Sequence, residues 1–221
     1  MLSDAATVRA AHIVLASSSP RRVDIVNNIL KLDANVVPST FPEDLDKAKY
    51  TPTTYVAENA KQKALEVYHR LTDEAGGAPP SLVVGADTVV VRDDTILEKP
   101  KSASAAVEML TSLSGRDHEV CTGVALIYPP LSSGEECLVH TFVERTRVQF
   151  APLPHEVILA YVESGEPMDK AGSYGIQGAG GSFVAGINGC YHSAVGFPMH
   201  RFCVELDCDR LRKWVQRKSA L

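Results

Sequence analysis

No stretch of this sequence approaches the ~20 consecutive apolar residues of a membrane-spanning helix. Its opening, MLSDAATVRAAHIVLASS, has an acid before the first arginine and no long apolar run behind it. The expectation is a chain without a membrane span or a secretory signal. Cysteine is scarce: Cys121, Cys137, Cys190, Cys203 and Cys208 form no C-x-x-C pair, and their number is odd. This argues against a disulfide framework and for a reducing, cytoplasmic setting in which the thiols act as small core residues. The histidines show no H-E-x-x-H or H-x-H spacing, so no zinc site is expected. There is no G-K-[ST] phosphate loop, no G-x-S-x-G elbow and no dinucleotide fingerprint between a strand and a helix. An excess of positive charge is also missing. The formal net charge is −5, which sets aside a global nucleic-acid-binding surface. Any anion must therefore be held by a local cluster of basic groups.

What is present is the composition of an ordinary globular domain: 221 residues, 45% apolar and 22% charged. HIVLAS reads as a buried strand. Ser19 suits an N-cap and Pro20 a first helical position, with Val23, Val26, Ile29 and Leu30 following at helical spacing. ANVVPS predicts a second strand, FPEDLDKAKYTP a loop, and residues 53–71 a helix with Val56, Ala60, Ala64, Val67 and Leu71 on one side. DEAGGAPPS predicts an exposed connection. SLVVGADTVVV is a β-branched central strand that RDD turns into TILEKP as a hairpin. Ser102 opens a helix through Leu113. HEVCTGVALIY and CLVHTFVERTRVQF are two long antiparallel strands, and 154–162 is a helix. VAGINGCY is a short strand with a tight turn, and one helix spans 198–218. Mixed strands and helices predict an α/β fold in a single domain, 1–221, with residues 1–11 as a flexible extension.

Four features carry possible chemistry. In LASSSPRRVDIV, Arg21 and Arg22 add positive charge to the end of a helix that is already positive. Either they face solvent while the serines cap, or they face an anion held jointly by the helix end, the guanidinium forks and Ser17, Ser18 and Ser19. Asp87 interrupts a strand that should be buried, so it needs a partner: a cation, a metal or a set of N–H donors, unless it simply caps a turn. It is placed to hold a metal against phosphate or to act as a base on water. Lys61 and Lys63 lie on different faces of their helix, so only one can reach a cleft, and Lys99 follows close behind Asp87. The glycine-rich EPMDKAGSYGIQGAGG has no period. Within it, Tyr174, Ile176 and Gln177 offer an apolar wall and an amide able to read a planar ring.

Taken in order, LASSSPRRVDIV, GADTVV, LEKP, LSGRDHEVCTGVAL and EPMDKAGSYGIQGAGGSFV resemble the Maf family of nucleoside triphosphate pyrophosphatases, over about residues 13–214. The resemblance implies a mixed, twisted sheet with flanking helices and two lobes around a central cleft, akin to house-cleaning inosine triphosphatases. It implies hydrolysis of a nucleoside triphosphate to the monophosphate and pyrophosphate with a divalent metal (Mg²⁺, Mn²⁺ or Co²⁺). Carried onto this chain, the triphosphate cradle falls on Ser17, Ser19, Arg21 and Arg22. The acidic loop residue falls on Glu43, with Asp44 as the alternative, and the helix lysine on Lys63. The aspartate falls on Asp87, the E-K-P lysine on Lys99 and the base-reading glutamine on Gln177. Asp87 and Glu43 would hold the metal, and one of the two, Asp87 by preference over Glu43, would orient or deprotonate water.

DKAGSYGIQG is similar to the subgroup acting on dTTP and UTP, with Lys170 where the 7-methyl-GTP subgroup carries a cysteine. The alternatives are that second subgroup or a nucleotide-binding regulator of cell division without turnover. The expected partner is a small nucleotide, with no nucleic acid or membrane, in a possible homodimer.

Overall fold

The computed structural model describes residues 4–74, 79–132 and 134–219. The centre of the DEAGGAPPS connection, residues 75–78, lies outside them. The elements run Ala5–Ala10 (α1), Ile13–Ala16 (β1), Pro20–Val23 (α2, continuing as a π-helical stretch over Asp24–Ile29), Asn35–Val36 (β2), Pro52–Glu74 (α3), Leu82–Arg92 (β3), Thr95–Leu97 (β4), Ala103–Leu113 (α4), Asp117–Tyr128 (β5) and Leu138–Phe150 (β6). Then come His155–Glu163 (α5), Val184–Asn188 (β7), Tyr191–Val195 (α6), Met199–Glu205 (α7) and Cys208–Ser219 (α8). All strands join one seven-stranded sheet in the order β2-β1-β3-β5-β6-β7, with β4 beside β3. The β2–β1 and β1–β3 pairs are parallel and the rest antiparallel, the mixed α/β sheet expected.

The period-2 alternation of β3 sorts its residues onto two faces. Val83, Val89 and Val91 pack toward α3. The other face carries two separate cores. Leu82, Val84 and Ala86 join a cluster with the π-helical stretch, α7 and α8, whereas Val90 joins one with α4 and α5. Thr88 stands between them. Helix α3 lies unusually close to the sheet because Gly85 and Gly123 present no side chain there. A Cβ on Gly85 would run into the Ala60 carbonyl oxygen, and one on Gly123 would sit 2.5 Å from the Val56 oxygen.

The edge of β3 opposite β5 is interrupted. Its pairing with β1 ends at Ala16↔Gly85, and its pairing with β4 begins at Val90↔Leu97. Residues 86–89 therefore have a free edge, from which both faces of the strand can be reached. The β3–β4 turn has positive φ at both Asp93 (47°) and Asp94 (60°), which matches the twist of a two-residue hairpin.

Three expectations differ from the structure, and one helix is additional. The helix after Pro20 widens into a π turn, with the Leu30 N–H donating to the Ile25 oxygen. This moves Ile25 into the core beside Val26 and leaves Ile29 48% exposed. A short helix, α6, also precedes Gly196, in a stretch for which the sequence predicted no helix. The C-terminal helix is broken at Leu206–Asp207. The Asp207 carboxylate caps α8 by accepting from the Arg210 N–H (2.9 Å), and the Asp207 N–H donates to the Tyr128 hydroxyl (3.0 Å). Where a flexible extension was expected, α1 buries Val8, and Asp4 pairs with Arg212 of α8.

Candidate active site

The free edge of β3 opens into a cleft of about 460 Å³, a size suited to a small ligand. Ser17, Ser19, Arg21, Arg22, Glu43, Lys63, Asp87, Lys99 and Gln177 all line it. The structure thus brings together in space the nine residues onto which the family's site was carried. Asp44 is exposed and does not line the cleft; Glu43 is the acidic loop residue that faces it.

At the floor, the Lys63 ammonium lies 2.8 Å from Asp87 Oδ1 and 2.8 Å from Glu43 Oε1. The close approach of α3 permitted by Gly85 and Gly123 puts Lys63 there, while Lys61 turns away to Glu58. Lys63 and Asp87 are both buried, which satisfies the demand that a carboxylate in a core strand be paired. Burial pushes the Glu43 carboxyl up, but Lys63, Lys99 and Arg22 outweigh it and hold it below the usual carboxylate range.

The two arginines differ. Arg22 forks inward: Nε donates to the Gly196 oxygen (2.9 Å), Nη1 to Ser17 Oγ (3.3 Å) and Nη2 to Thr88 Oγ1 (3.0 Å). Of its five N–H donors, two remain for a ligand. Thr88 Oγ1 also lies 3.0 Å from Thr122 Oγ1, whose hydroxyl donates to the Ser193 oxygen (2.9 Å). The hydroxyl hydrogens are therefore directed from Thr88 to Thr122 to Ser193, which leaves the Thr88 oxygen as an acceptor for Arg22. Arg21 is looser, with one contact from Nη1 to Asp169 Oδ2 at 3.2 Å.

Lys99 is exposed at the rim. Its neighbour Glu98 accepts from the Tyr55 hydroxyl (2.7 Å) and pairs with Lys47 (2.6 Å), fastening the Glu43 loop to β4. Across the cleft, Gln177 is exposed and Ile176 half-buried. Tyr174 is buried, with its hydroxyl 2.8 Å from His118 Nε2 and its ring edge-on to Phe150. Lys170, read from sequence as a subgroup marker, lines the cleft but donates to the Glu166 backbone oxygen (2.5 Å) and to Asp169 (2.6 Å).

Five basic side chains (Arg21, Arg22, Lys63, Lys99 and Lys170) face four acidic ones (Glu43, Asp87, Glu98 and Asp169). Glu43 and Asp87 offer hard oxygen donors around one cationic position. Among the described residues, no group of three or more His, Cys, Asp or Glu could hold a metal by itself. Two carboxylates completed by phosphate oxygens and water is the way Mg²⁺ is commonly held, so the donor set fits a metal that arrives with a polyphosphate.

The Maf-like protein family matches residues 12–208. The chain belongs to the Maf family. Among its relatives, the dTTP/UTP pyrophosphatase of Clostridium perfringens (strain 13 / Type A) is 44% identical over 195 residues, covering 88% of this chain and 95% of that protein. The dTTP/UTP pyrophosphatase of Thermococcus onnurineus is 48% identical over 187 residues, covering 85% and 92%. A human protein named "Probable bifunctional dTTP/UTP pyrophosphatase/methyltransferase protein" is 50% identical over 198 residues. That match covers 88% of this chain, which spans only 31% of the human protein. Among solved structures, a HAM1 protein from Coxiella burnetii overlaps loosely, with a TM-score of 0.39 at 14% identity, over 96% of this chain and all of that one.

In this Maf-family chain, Thr88, Glu98 and Asp169 also line the cleft and Thr122 lies buried behind it; all four fall inside the quoted motifs, though the resemblance assigns them no role. They hold the assigned residues in place. Of these, Thr88 had a local signal, as the only polar residue besides Asp87 in the run LVVGADTVVV.

Proposed function

We propose that this Maf-family chain hydrolyses nucleoside triphosphates, dTTP and UTP foremost, to the monophosphate and pyrophosphate. The observation that carries the reading is the Lys63 ammonium held between Asp87 and Glu43 at the floor of a cleft walled by Arg21, Arg22 and Lys99. Such a site offers carboxylates for water and cations for a chain of phosphates. The names of the relatives support the same substrate class.

In this reading Arg21, the two remaining N–H groups of Arg22, and Lys99 neutralise and align the triphosphate. Asp87 accepts a proton from a water placed in line with the α-phosphorus. The water oxygen bonds to that phosphorus, the bond to the bridging oxygen breaks, and pyrophosphate leaves. Lys63, bonded to Asp87 Oδ1, fixes the carboxylate in direction. A divalent cation bound by Asp87, Glu43 and the phosphates would supply further charge neutralisation. Gln177 pairs with the imide edge of uracil or thymine, against the apolar side of Ile176. The five cysteines are free, which suits the reducing compartment we propose.

The test is a panel of UTP, dTTP, CTP, ATP, GTP and 7-methyl-GTP with Mg²⁺, Mn²⁺ or Co²⁺, following pyrophosphate and orthophosphate separately. Pyrophosphate release, fastest with UTP and dTTP and lost on chelation, is expected. Orthophosphate with accumulating diphosphate would refute the bond assignment. Equal kcat/KM for UTP and 7-methyl-GTP would refute the base assignment alone.

A further inference from the structure

The loop that carries Tyr174, Ile176 and Gln177 is moulded on side chains behind it. The Tyr161 hydroxyl donates to Glu166 Oε1 (3.0 Å) and accepts from the Gly175 N–H (3.1 Å). The same carboxylate accepts from the N–H groups of Ala179 (3.1 Å) and Gly180 (3.4 Å). Gln177 thus sits on a short bow of chain whose two feet are tied to one carboxylate and one phenol. The loop glycines fit this template. A Cβ at Gly178 would run into Glu166 Oε1, one at Gly180 would lie 2.6 Å from the Tyr161 hydroxyl oxygen, and one at Gly175 would lie 2.5 Å from Lys170 Cε. The glycines at 175, 178 and 180 therefore leave room for Lys170, Glu166 and Tyr161. Neither Tyr161 nor Glu166 lines the cleft.

We infer that Tyr161 and Glu166 are positioning residues that set base selectivity by fixing the loop bearing Gln177, without touching the nucleotide. The inference rests on the proposed reading of the cleft as a nucleotide site. Selectivity of this kind needs a fixed amide. A glutamine free to move satisfies any ring edge about equally, whereas one held in place penalises the base that leaves it unpaired. The template also reaches the phosphate side. Lys170 joins the Glu166 backbone oxygen to Asp169, and Asp169 contacts Arg21.

The test compares Tyr161→Phe, Glu166→Gln and Gly178→Ala with the unmodified chain, in two arms. The first is amide hydrogen exchange. The N–H groups of Gly175, Ala179 and Gly180 should exchange at least about tenfold faster in Glu166→Gln and Tyr161→Phe, while β3 and β5 keep their protection. The second is selectivity among UTP, dTTP, ATP and GTP, read both as kcat/KM and as Kd for α,β-imido analogues of UTP and ATP. The ratio of best to worst should fall about tenfold or more, through KM and Kd of the preferred nucleotide, with kcat within about threefold. Gly178→Ala, which presses on Glu166 from the other side, should do the same.

Unchanged exchange in the loop overturns the inference. So does a loosened loop with unchanged selectivity, or an equal fall for every nucleotide through kcat. A chain that binds the analogues selectively but does not turn over UTP refutes the pyrophosphatase reading, and its Kd ratios still decide this one. A chain that binds none refutes both.

Discussion

The Lys63 ammonium sits 2.8 Å from Asp87 Oδ1, and both side chains are less than a tenth exposed. Each is the other's buried ion-pair partner, so removing either has a distinct signature. Asp87→Asn keeps the shape of the side chain and an oxygen acceptor for Lys63, which also retains Glu43. Turnover should fall on the order of 10²-fold or more, the scale of general-base and metal contributions. The melting temperature should change less than in Lys63→Met, which leaves two carboxylates facing each other without a cation. Near-normal kcat in Asp87→Asn would remove Asp87 from the mechanism.

The arginines should separate in stability. Arg22 bonds three acceptors, on the loop after β1, on β3 and on the turn after α6, while Arg21 has one partly exposed contact. A lysine at position 22 cannot reproduce the fork, so Arg22→Lys should cost roughly 1–3 kcal/mol, the scale of hydrogen bonds to a charged group. That corresponds to a fall of several degrees in Tm. Arg21→Lys should leave Tm nearly unchanged, and Arg21→Ala should weaken binding of every triphosphate together. Equal Tm losses for the two lysine variants would contradict the inward role of Arg22.

Gly85→Ala tests whether the placement of Lys63 depends on close packing of α3. The new methyl would meet the Ala60 backbone, which cannot swing aside as a flexible side chain would. Overpacking of this kind commonly costs about 1–3 kcal/mol. Shifting α3 should also part Lys63 from Asp87, so kcat should drop even under conditions where the variant is fully folded. Full activity per folded molecule would show that the helix can retreat without moving Lys63.

His118 predicts a pH dependence of stability. Burial against Phe150 and Tyr174 lowers its pKa to about 4 from an ordinary 6.5, with nearby Asp117 opposing the shift only weakly. Between those values the unfolded chain binds a proton that the folded chain refuses, so stability falls as pH drops from about 6.5 to about 4 and the effect levels off below. The full effect is on the order of 3 kcal/mol. His118→Gln keeps a hydrogen-bonding group for the Tyr174 hydroxyl but does not titrate. Its Tm from pH 7.5 to 4 should decline less steeply, by about one proton's worth. Parallel curves for the two proteins would rule this out.

The parts legible in the sequence were those whose cause is local. Asp93 and Asp94 mark the β3–β4 hairpin because few other residues accept positive φ in both turn positions. Ser102 marks the start of α4 because its hydroxyl accepts from the Ala105 N–H three residues on. The motif residues of the cleft were legible through family resemblance. What was not legible depended on distant partners. Arg22 looked equivalent to Arg21 because the acceptors that distinguish it come from β3 and from the turn after α6. The π turn that exposes Ile29 keeps the apolar pattern of an α-helix, so spacing alone placed the wrong residue in the core. The break before α8 did leave a local trace, Asp207 three residues ahead of the Arg210 N–H it caps, inside an otherwise helical run.

The free edge of β3 between Gly85 and Val90 has a consequence for how this cleft can vary. The acid and the alcohol it offers, Asp87 and Thr88, are adjacent in the chain and point to opposite faces. One meets Lys63 and the other Arg22. A single inserted or deleted residue upstream in β3 would exchange the two faces, setting a hydroxyl against the ammonium and a carboxylate against the arginine fork. A change of two residues would restore the faces but slide both groups along the gap. Relatives that keep both pairings should therefore hold the count of residues from Leu82 to Thr88 constant, so that strand length is itself part of the site.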